Sequence, residues 1–452
     1  MTNLVGASRF STLDAEPSLE LETGLGLTPL GSIDHPQFFS GLVTRPDVTA
    51  AGILTVADVS TTTYLDLSAI AATRDPVVTA SGDRIRFESF SGCNGVYAVY
   101  DLLADGIASG EIAFGTTNVD VNQPLRTALA ALPRHELMHL AVGPDALRMS
   151  TLAETHEERK VELPERWVRG FAEVPAVLAS MSVVAEATGP QAMTFLAGLP
   201  RGAPGPAVGV VAGPRGPRIT AAGSPGSATL AGTARLTSLR RVMRHIRRLT
   251  VWAHESGASA WVAEVDGGRI TLAMTPQPYR GFSGEGQLLT GLARASVVGA
   301  GAGAGAGSGS GAAFRVLEQL AWEPVIDPGL LAAETGLTAA EVSGAVSVLA
   351  ASGKVGYDLS CGAYFHREVP FDSDAAERDH PRLRAARELV AAGSVERTAD
   401  GLRVGGEGTQ SHWVRFGSGD ATCTCRWFIR YAGSRGPCSH ILAARLYMAG
   451  LT

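Results

Sequence analysis

The sequence predicts a multidomain α+β protein. It reads as a β-rich N-terminal region, a central α+β unit, a winged-helix-like unit and a C-terminal ββα knuckle. Three observations carry that prediction. The chain has 452 residues, room for about three domains at roughly 150 residues each. Two stretches of biased composition, 200–232 and 299–312, break it into segments. A compact cysteine and histidine cluster stands at the C-terminal end.

Residues 1–35 are mixed and acidic and read as a loosely ordered arm. Residues 36–199 form the β-rich α+β domain. There "GILTVADVS", "DRIRFESFS", "GVYAVYDLL" and "EIAFGTTNV" are short runs of β-branched and aromatic residues between turn signals, which predicts strands. "GTTNVDVN", Gly115 to Asn122, is polar and reads as a helix-capping turn, with a pocket lining as the alternative. "QPLRTALAAL" predicts a helix, "LMHLAVGPDALRMSTL" a hairpin about Gly143-Pro144, and "PERWVRGFAEVPAVLASM" a helix opened by Pro164. Residues 200–232 are a Pro/Gly-rich connection.

Residues 233–298 predict an α+β unit with a basic helix and a hairpin, "SAWVAEVDGGRITLAM", turning at Asp266-Gly267-Gly268. Residues 299–312 are a Gly/Ala/Ser linker. In 313–372, three helical patterns precede two strands, the element order of a winged helix. Its third helix, Thr338 to Gly353, holds Glu341 and no arginine or lysine. A helix that reads a major groove needs such side chains, so this one predicts a protein-facing surface.

Net charge is −6, which excludes a chain coated uniformly for nucleic acid. All but Lys160 and Lys354 of the 38 basic residues are arginine, a bias that looks genomic rather than functional. The N-terminus lacks a basic stretch followed by an apolar core, and no run of 18 apolar residues occurs. The expectation is a cytoplasmic protein without a membrane partner. Five cysteines in such a chain suggest reduced thiols or metal ligands. Cys93 and Cys361 stand alone and read as small buried hydrophobes.

The other three cysteines make a pattern in residues 385–452: C-x-C, twelve residues, then C-x-H, at Cys423, Cys425, Cys438 and His440. Three thiolates and an imidazole are a tetrahedral structural zinc set. Cys423 and Cys425, two apart on a strand, would leave the same face. Pro437 introduces a helix whose first turn aims Cys438 and His440 back at the hairpin. A redox pair would be C-x-x-C, and a Cys423–Cys425 disulfide would be strained, so one structural Zn2+ is the reading.

With Gly436-Pro437 before the third cysteine, Trp413-Val414 on the preceding strand and Ile441-Leu442-Ala443 after the histidine, the pattern resembles the SWIM zinc finger. The resemblance covers about 50 residues, and the four ligands carry over. More loosely, the layout is similar to bacterial SWIM zinc finger proteins with long N-terminal regions. It implies a module that binds DNA or protein and does not choose between them.

Local charge favours nucleic acid. From Arg403 onward there are six arginines and two acids, and Arg426, Trp427, Arg430, Tyr431 and Arg435 interleave arginines with aromatic rings between the ligand pairs. Arginine grips phosphate and rings stack on bases; equally, the rings could be the knuckle's own core. A second basic feature spans Arg235 to Leu249. Leu236, Leu239, Met243 and Ile246 would face a core, and Arg240, Arg241, Arg244, Arg247 and Arg248 crowd the other side. Their partner would be nucleic acid, an acidic protein, or acids of this chain. The resulting expectation is a non-enzymatic recognition protein, with a protein adaptor or scaffold as the alternative.

One segment suggests an enzyme. "HELMH", His135 to His139, matches H-E-x-x-H, in which two histidines one helical turn apart hold zinc beside a glutamate base. Glu157, Glu158 or Glu162 could supply a third ligand. Pro133 and Gly143-Pro144 leave little room for the helix it needs, so a strand edge is the expectation. The chain has no P-loop, no Gly-x-Ser-x-Gly elbow and no dinucleotide fingerprint.

Overall fold

The computed structural model describes residues 37–62, 64, 76–161, 163, 165–200, 206–278, 280–282, 286, 288–289, 308–320, 322–367, 369, 381–405, 411–417, 421–433 and 435–449. It also describes four short strands before these: β1 (Arg9–Ser11) pairs with β2 (Ser18–Glu20), and β3 (Gly26–Thr28) with β4 (Gly31–Ile33). The rest of the predicted arm lies outside the described residues, as do residues 299–307 of the linker. The mixed α+β class is confirmed.

After β5 (Phe39–Val43) comes the first correction. "GILTVADVS" is not a strand; it lies in α1 (Pro46–Ser60). Pro46 at the first helical turn and Asp47 beside it are helix-start signals that outweigh the β-branched run. The run is apolar because α1 is buried nearly all round, with Ile53, Leu54, Val56, Ala57 and Val59 all inside. At Gly52 a Cβ would meet the Tyr100 ring at 2.5 Å, so only glycine lets α1 lie this close to the sheet.

Five further strands follow: β6 (Val77–Ser81), β7 (Arg84–Phe90), β8 (Val96–Leu103), β9 (Ile107–Ile112) and β10 (Phe114–Asn118). The 115–122 segment is thus strand first and cap second. Asn122 caps α2 (Gln123–Ala131) by accepting from the Leu125 N–H at 3.1 Å. Next come β11 (His139–Val142), β12 (Ala146–Ser150), β13 (Thr155–Arg159), α3 (Glu165–Leu178), β14 (Ser182–Thr188) and α4 (Gly189–Gly198). The predicted connection 200–232 carries a small sheet of β15 (Val208–Val211), β16 (Arg218–Ala221) and β17 (Ala228–Leu230). Then come β18 (Arg248–Ala253), β19 (Ser259–Val265) and β20 (Gly268–Met274).

Strands from the two segments 36–199 and 233–298 make one eight-stranded antiparallel sheet, in the order β10-β6-β7-β8-β20-β19-β18-β14. A five-stranded sheet, β13-β12-β11-β5-β9, shares one hydrophobic core with it and with α1. Both faces of the large sheet are covered. One packs on α1, α2 and α4, and the other on Trp167, Phe171 and Val174 of α3. Such double burial explains why β7, β8 and β20 are inside almost from end to end.

The basic stretch is a second correction. It is not an α-helix: 3-10 turns cover Thr233–Arg240 and Met243–His245, and β18 begins at Arg248. Buried Leu236, Leu239 and Val242 recur every three residues, the repeat of a 3-10 helix and not of an α-helix.

Beyond the linker lie α5 (Ser308–Gln319), α6 (Pro328–Thr335), α7 (Ala339–Ala351), β21 (Val355–Asp358) and β22 (Ala363–His366). Residues 308–311 of the predicted linker are therefore the first turn of α5. Asp327 caps α6, and Thr338 with Glu341 forms a capping box on α7. The buried face of α7 packs on α5 and α3, so the helix that would enter a DNA groove is occupied by the chain's own sheet domain. The last unit is α8 (Pro381–Ala391), a meander of β23 (Val395–Thr398), β24 (Gly401–Val404), β25 (His412–Phe416) and β26 (Ala421–Cys423), then α9 (Arg426–Tyr431) and α10 (Ser439–Ala449). It shares one core with Ala172 of α3 and Ala351 of α7. Among the described residues no helix is long and apolar enough to cross a membrane.

Candidate metal centre

The four predicted ligands converge. One ligand atom each from Cys423, Cys425, Cys438 and His440 lies within 4.8 Å of the others. Tetrahedral zinc at about 2.3 Å from sulfur would place its donors about 3.8 Å apart, so the cluster fits with small adjustment. All three cysteines are buried, and Nδ1 of His440 is buried with no hydrogen-bond partner. Four protein donors of this chemistry leave no position for water. They hold one structural zinc ion.

The local geometry differs from a ligand pair on one strand. β26 ends at Cys423, and Cys425 is the N-cap of α9. The Phe428 N–H donates to Cys425 Sγ at 3.4 Å, and the Ile441 N–H donates to Cys438 Sγ at 3.4 Å where α10 begins. Cys423 Sγ accepts from the Cys425 N–H at 3.5 Å. Each sulfur is thus met by a backbone donor, and two of them sit at helix N-termini, where negative charge is favoured.

The charges respond to this crowding. Hydrogen bonds from Cys423 and Cys438 hold the Cys425 thiol far below its ordinary range, whereas hydrogen bonding to Cys425 and Cys438 raises the Cys423 thiol. Burial opposes charge on His440, but the sulfurs of Cys425 and Cys438 outweigh it and push the imidazole up to about 9. The protons shared in this cluster are the ones a metal displaces on binding.

Two neighbours were not singled out from the sequence. The His412 ring on β25 lies 4.4 Å from that of His440. Arg382 of α8 donates to the Pro437 carbonyl at 3.0 Å and to the Arg435 carbonyl at 2.6 Å, clamping the loop that carries Cys438. Nothing in "PRLRAARELVA" marks Arg382 apart from Arg384 or Arg387; only the packing does.

The predicted contact loop "RWFIRYAGSR" is largely the helix α9. Its rings already face cations. Arg382 and Arg435 lie 4.7 and 5.2 Å over Trp427, and Arg435 and Arg430 lie 5.0 and 5.3 Å over Tyr431. Arg426 and Arg430 are exposed, with no acid paired to them among the described residues. The other basic set behaves differently. Arg241 pairs with Asp58, Arg247 with Asp266 at 2.8 Å and Arg248 with Glu186 at 2.6 Å. Arg240 donates to the Leu199 carbonyl at 3.3 Å, and Arg244 to His245 at 2.9 Å. Of the three partners weighed for this cluster, acids and carbonyls of the same chain are the ones found.

The HELMH segment is turn and strand, with His139 opening β11 and contacting Ser40 Oγ at 3.2 Å. The helical face that its two histidines would need is absent. Glu157 is engaged by Arg148, Glu158 is buried and Glu162 lies outside the described residues. Among the described residues, no second cluster of three or more metal-ligating groups occurs. Replacing His135 and His139 together with alanine is expected to leave one zinc per chain by atomic absorption; a fall from two to one would restore the peptidase reading. The two lone cysteines are not core residues: Cys93 is half-buried, and Cys361 is exposed at the β21–β22 turn, 3.9 Å from Arg84.

The site and its flanks define a zinc-knuckle-bearing α+β protein. Residues 408–447 match the family model of the SWIM zinc finger. No curated protein matches the chain. Among solved structures, the chain is similar to proliferating cellular nuclear antigen from Entamoeba histolytica at 10% identity, over 53% of this chain and 99% of that one. The TM-score is 0.36, too low for a shared fold to be inferred.

Proposed function

We propose that this chain is a non-enzymatic recognition protein whose zinc knuckle binds nucleic acid through α9. The observation that carries the reading is the contrast between the two arginine sets. Those at 240–248 are engaged within the chain, whereas Arg426 and Arg430 stand exposed one helical turn apart beside the metal centre. The zinc supports this by holding α9 rigid at its N-cap, Cys425. Trp427 and Tyr431 contribute by packing against arginines, not as free stacking faces. In this reading the phosphate backbone is the main ligand and the contacts carry little sequence information.

The reading is tested by salt dependence. The Arg426→Ala/Arg430→Ala pair is expected to weaken binding to a duplex DNA oligonucleotide about tenfold and to lower the slope of log K against log salt by about 2. An unchanged slope would exclude phosphate contact by α9. A second reading is a protein partner, and Ile429 favours it: this residue is 72% exposed between the two arginines. Binding that survives high salt and is lost in Ile429→Asp would select the adaptor.

A further inference from the structure

A groove of about 470 Å³ lies far from the knuckle in sequence, along one face of α2. Gln123, Arg126, Ala130 and Ala131 line it from α2, at helical spacings that put them on one side. Leu54 of α1 and Arg241 of the 3-10 segment stand opposite. Small exposed alanines open the groove, and the buried Leu54 forms part of its floor.

Two guanidinium groups here meet a single carboxylate. Arg126 Nη2 donates to Asp58, and so does Arg241 through Nε and, at 3.2 Å, Nη2. No other ion pair reaches either arginine among the described residues. Nη1 of Arg126 is buried without a partner. The groove therefore keeps one positive charge in excess, beside an apolar wall, and only part of its guanidinium donor capacity is used. Planar forks of this kind suit carboxylate and phosphate oxygens.

We propose that this groove binds a small organic anion, with a phosphate or carboxylate head at Arg126 and Arg241 and a short apolar tail against Leu54, Ala130 and Ala131. Asp58 holds the two arginines in place and leaves a single excess positive charge for the anionic head. The site is independent of the zinc knuckle and of what α9 binds.

Calorimetric titration of the full chain with hexyl phosphate tests this, with hexanol and inorganic phosphate as comparison probes. One site with a submillimolar Kd is expected, and each comparison probe should bind about tenfold more weakly or worse. Arg241→Gln should weaken hexyl phosphate about tenfold; it leaves Arg126 on Asp58, and a thermal melt checks that the fold persists. Ala130→Phe fills the groove and should abolish binding, while Arg248→Gln, outside the groove, should leave it unchanged. Hexanol binding as tightly as hexyl phosphate, undiminished binding by Ala130→Phe, or no heat at millimolar ligand would each overturn the assignment.

Discussion

Cys438→Ser is expected to strip the chain of its zinc, from one equivalent to about a tenth or less, and to unfold the C-terminal unit. The knuckle is small, and its core is built around the ligands: Cys423, Cys425 and Cys438 pack with Val414, Ile441 and Leu442. Structural zinc sites of this size supply about 10–16 kcal/mol of apparent binding energy, and that energy is folding energy. Serine keeps the volume of the thiol but not its affinity for the metal. Hydrogen exchange should report rapid exchange in α9, α10 and β25–β26, with the eight-stranded sheet still protected. Full zinc occupancy in the variant would refute the ligand assignment. Removing the metal with a chelator should reproduce the same local pattern in the unaltered protein.

Asp358→Asn is expected to release the 308–369 unit from the large sheet. On the α3-facing side of that sheet, Arg86, Asp101 and Arg269 stand directly opposite one another on β7, β8 and β20. Asp358 of β21 closes the group from the other unit, accepting from Arg86 and Arg84 at 2.7 Å each and from Arg269. These side chains are at most 10% exposed. Next to them Arg367, 1% exposed, reaches Glu88 at 2.5 Å and the Phe171 carbonyl at 3.1 Å. Breaking a buried pair by removing one partner costs about 3–5 kcal/mol, because the remaining charges stay buried without compensation. The asparagine variant should melt at a lower temperature and expose β21, β22 and α7 to exchange. Unchanged protection of those elements would show that apolar packing alone docks the unit.

The pH dependence of this docking follows from the same groups. Burial alone would raise the carboxyls of Asp101 and Asp358, but Arg86, with Arg269 and Arg84, outweighs it and holds both below the usual carboxylate range. A depressed native pKa contributes stability that is complete above the unfolded value and is lost as pH falls through the native one. Docking should therefore be level from about pH 5 to pH 8 and fail only in stronger acid, where both carboxyls protonate.

Some features were legible in the sequence because they depend on neighbours along the chain. The C-x-C and C-x-H spacings specify the metal centre, since a ligand set needs little more than a turn and a helix start to converge. Asp266-Gly267 sets the β19–β20 hairpin, and Thr338 with Glu341 sets the start of α7, for the same local reason. Other features were read wrongly because their local signal was ambiguous. The β-branched run of α1 resembles a strand until one knows that the helix is buried nearly all round, and the spacing of Leu236, Leu239, Met243 and Ile246 fits an α-helix although the segment folds as 3-10 turns.

The alternation Arg84, Arg86, Glu88 looks like the solvated face of a strand. It is buried because Asp358, 272 residues from Arg86, arrives to neutralise it. Likewise, no local rule says that Asp58 claims Arg241 across 183 residues while Arg426 and Arg430 stand without an acid partner among the described residues. The sequence by itself determined the metal, its four ligands and most element types, since those follow from spacing, capping and turn chemistry within a few residues. Only the tertiary structure decided which charges are spent internally and which face outward, because a charge is neutralised by whatever folds against it, at any distance along the chain.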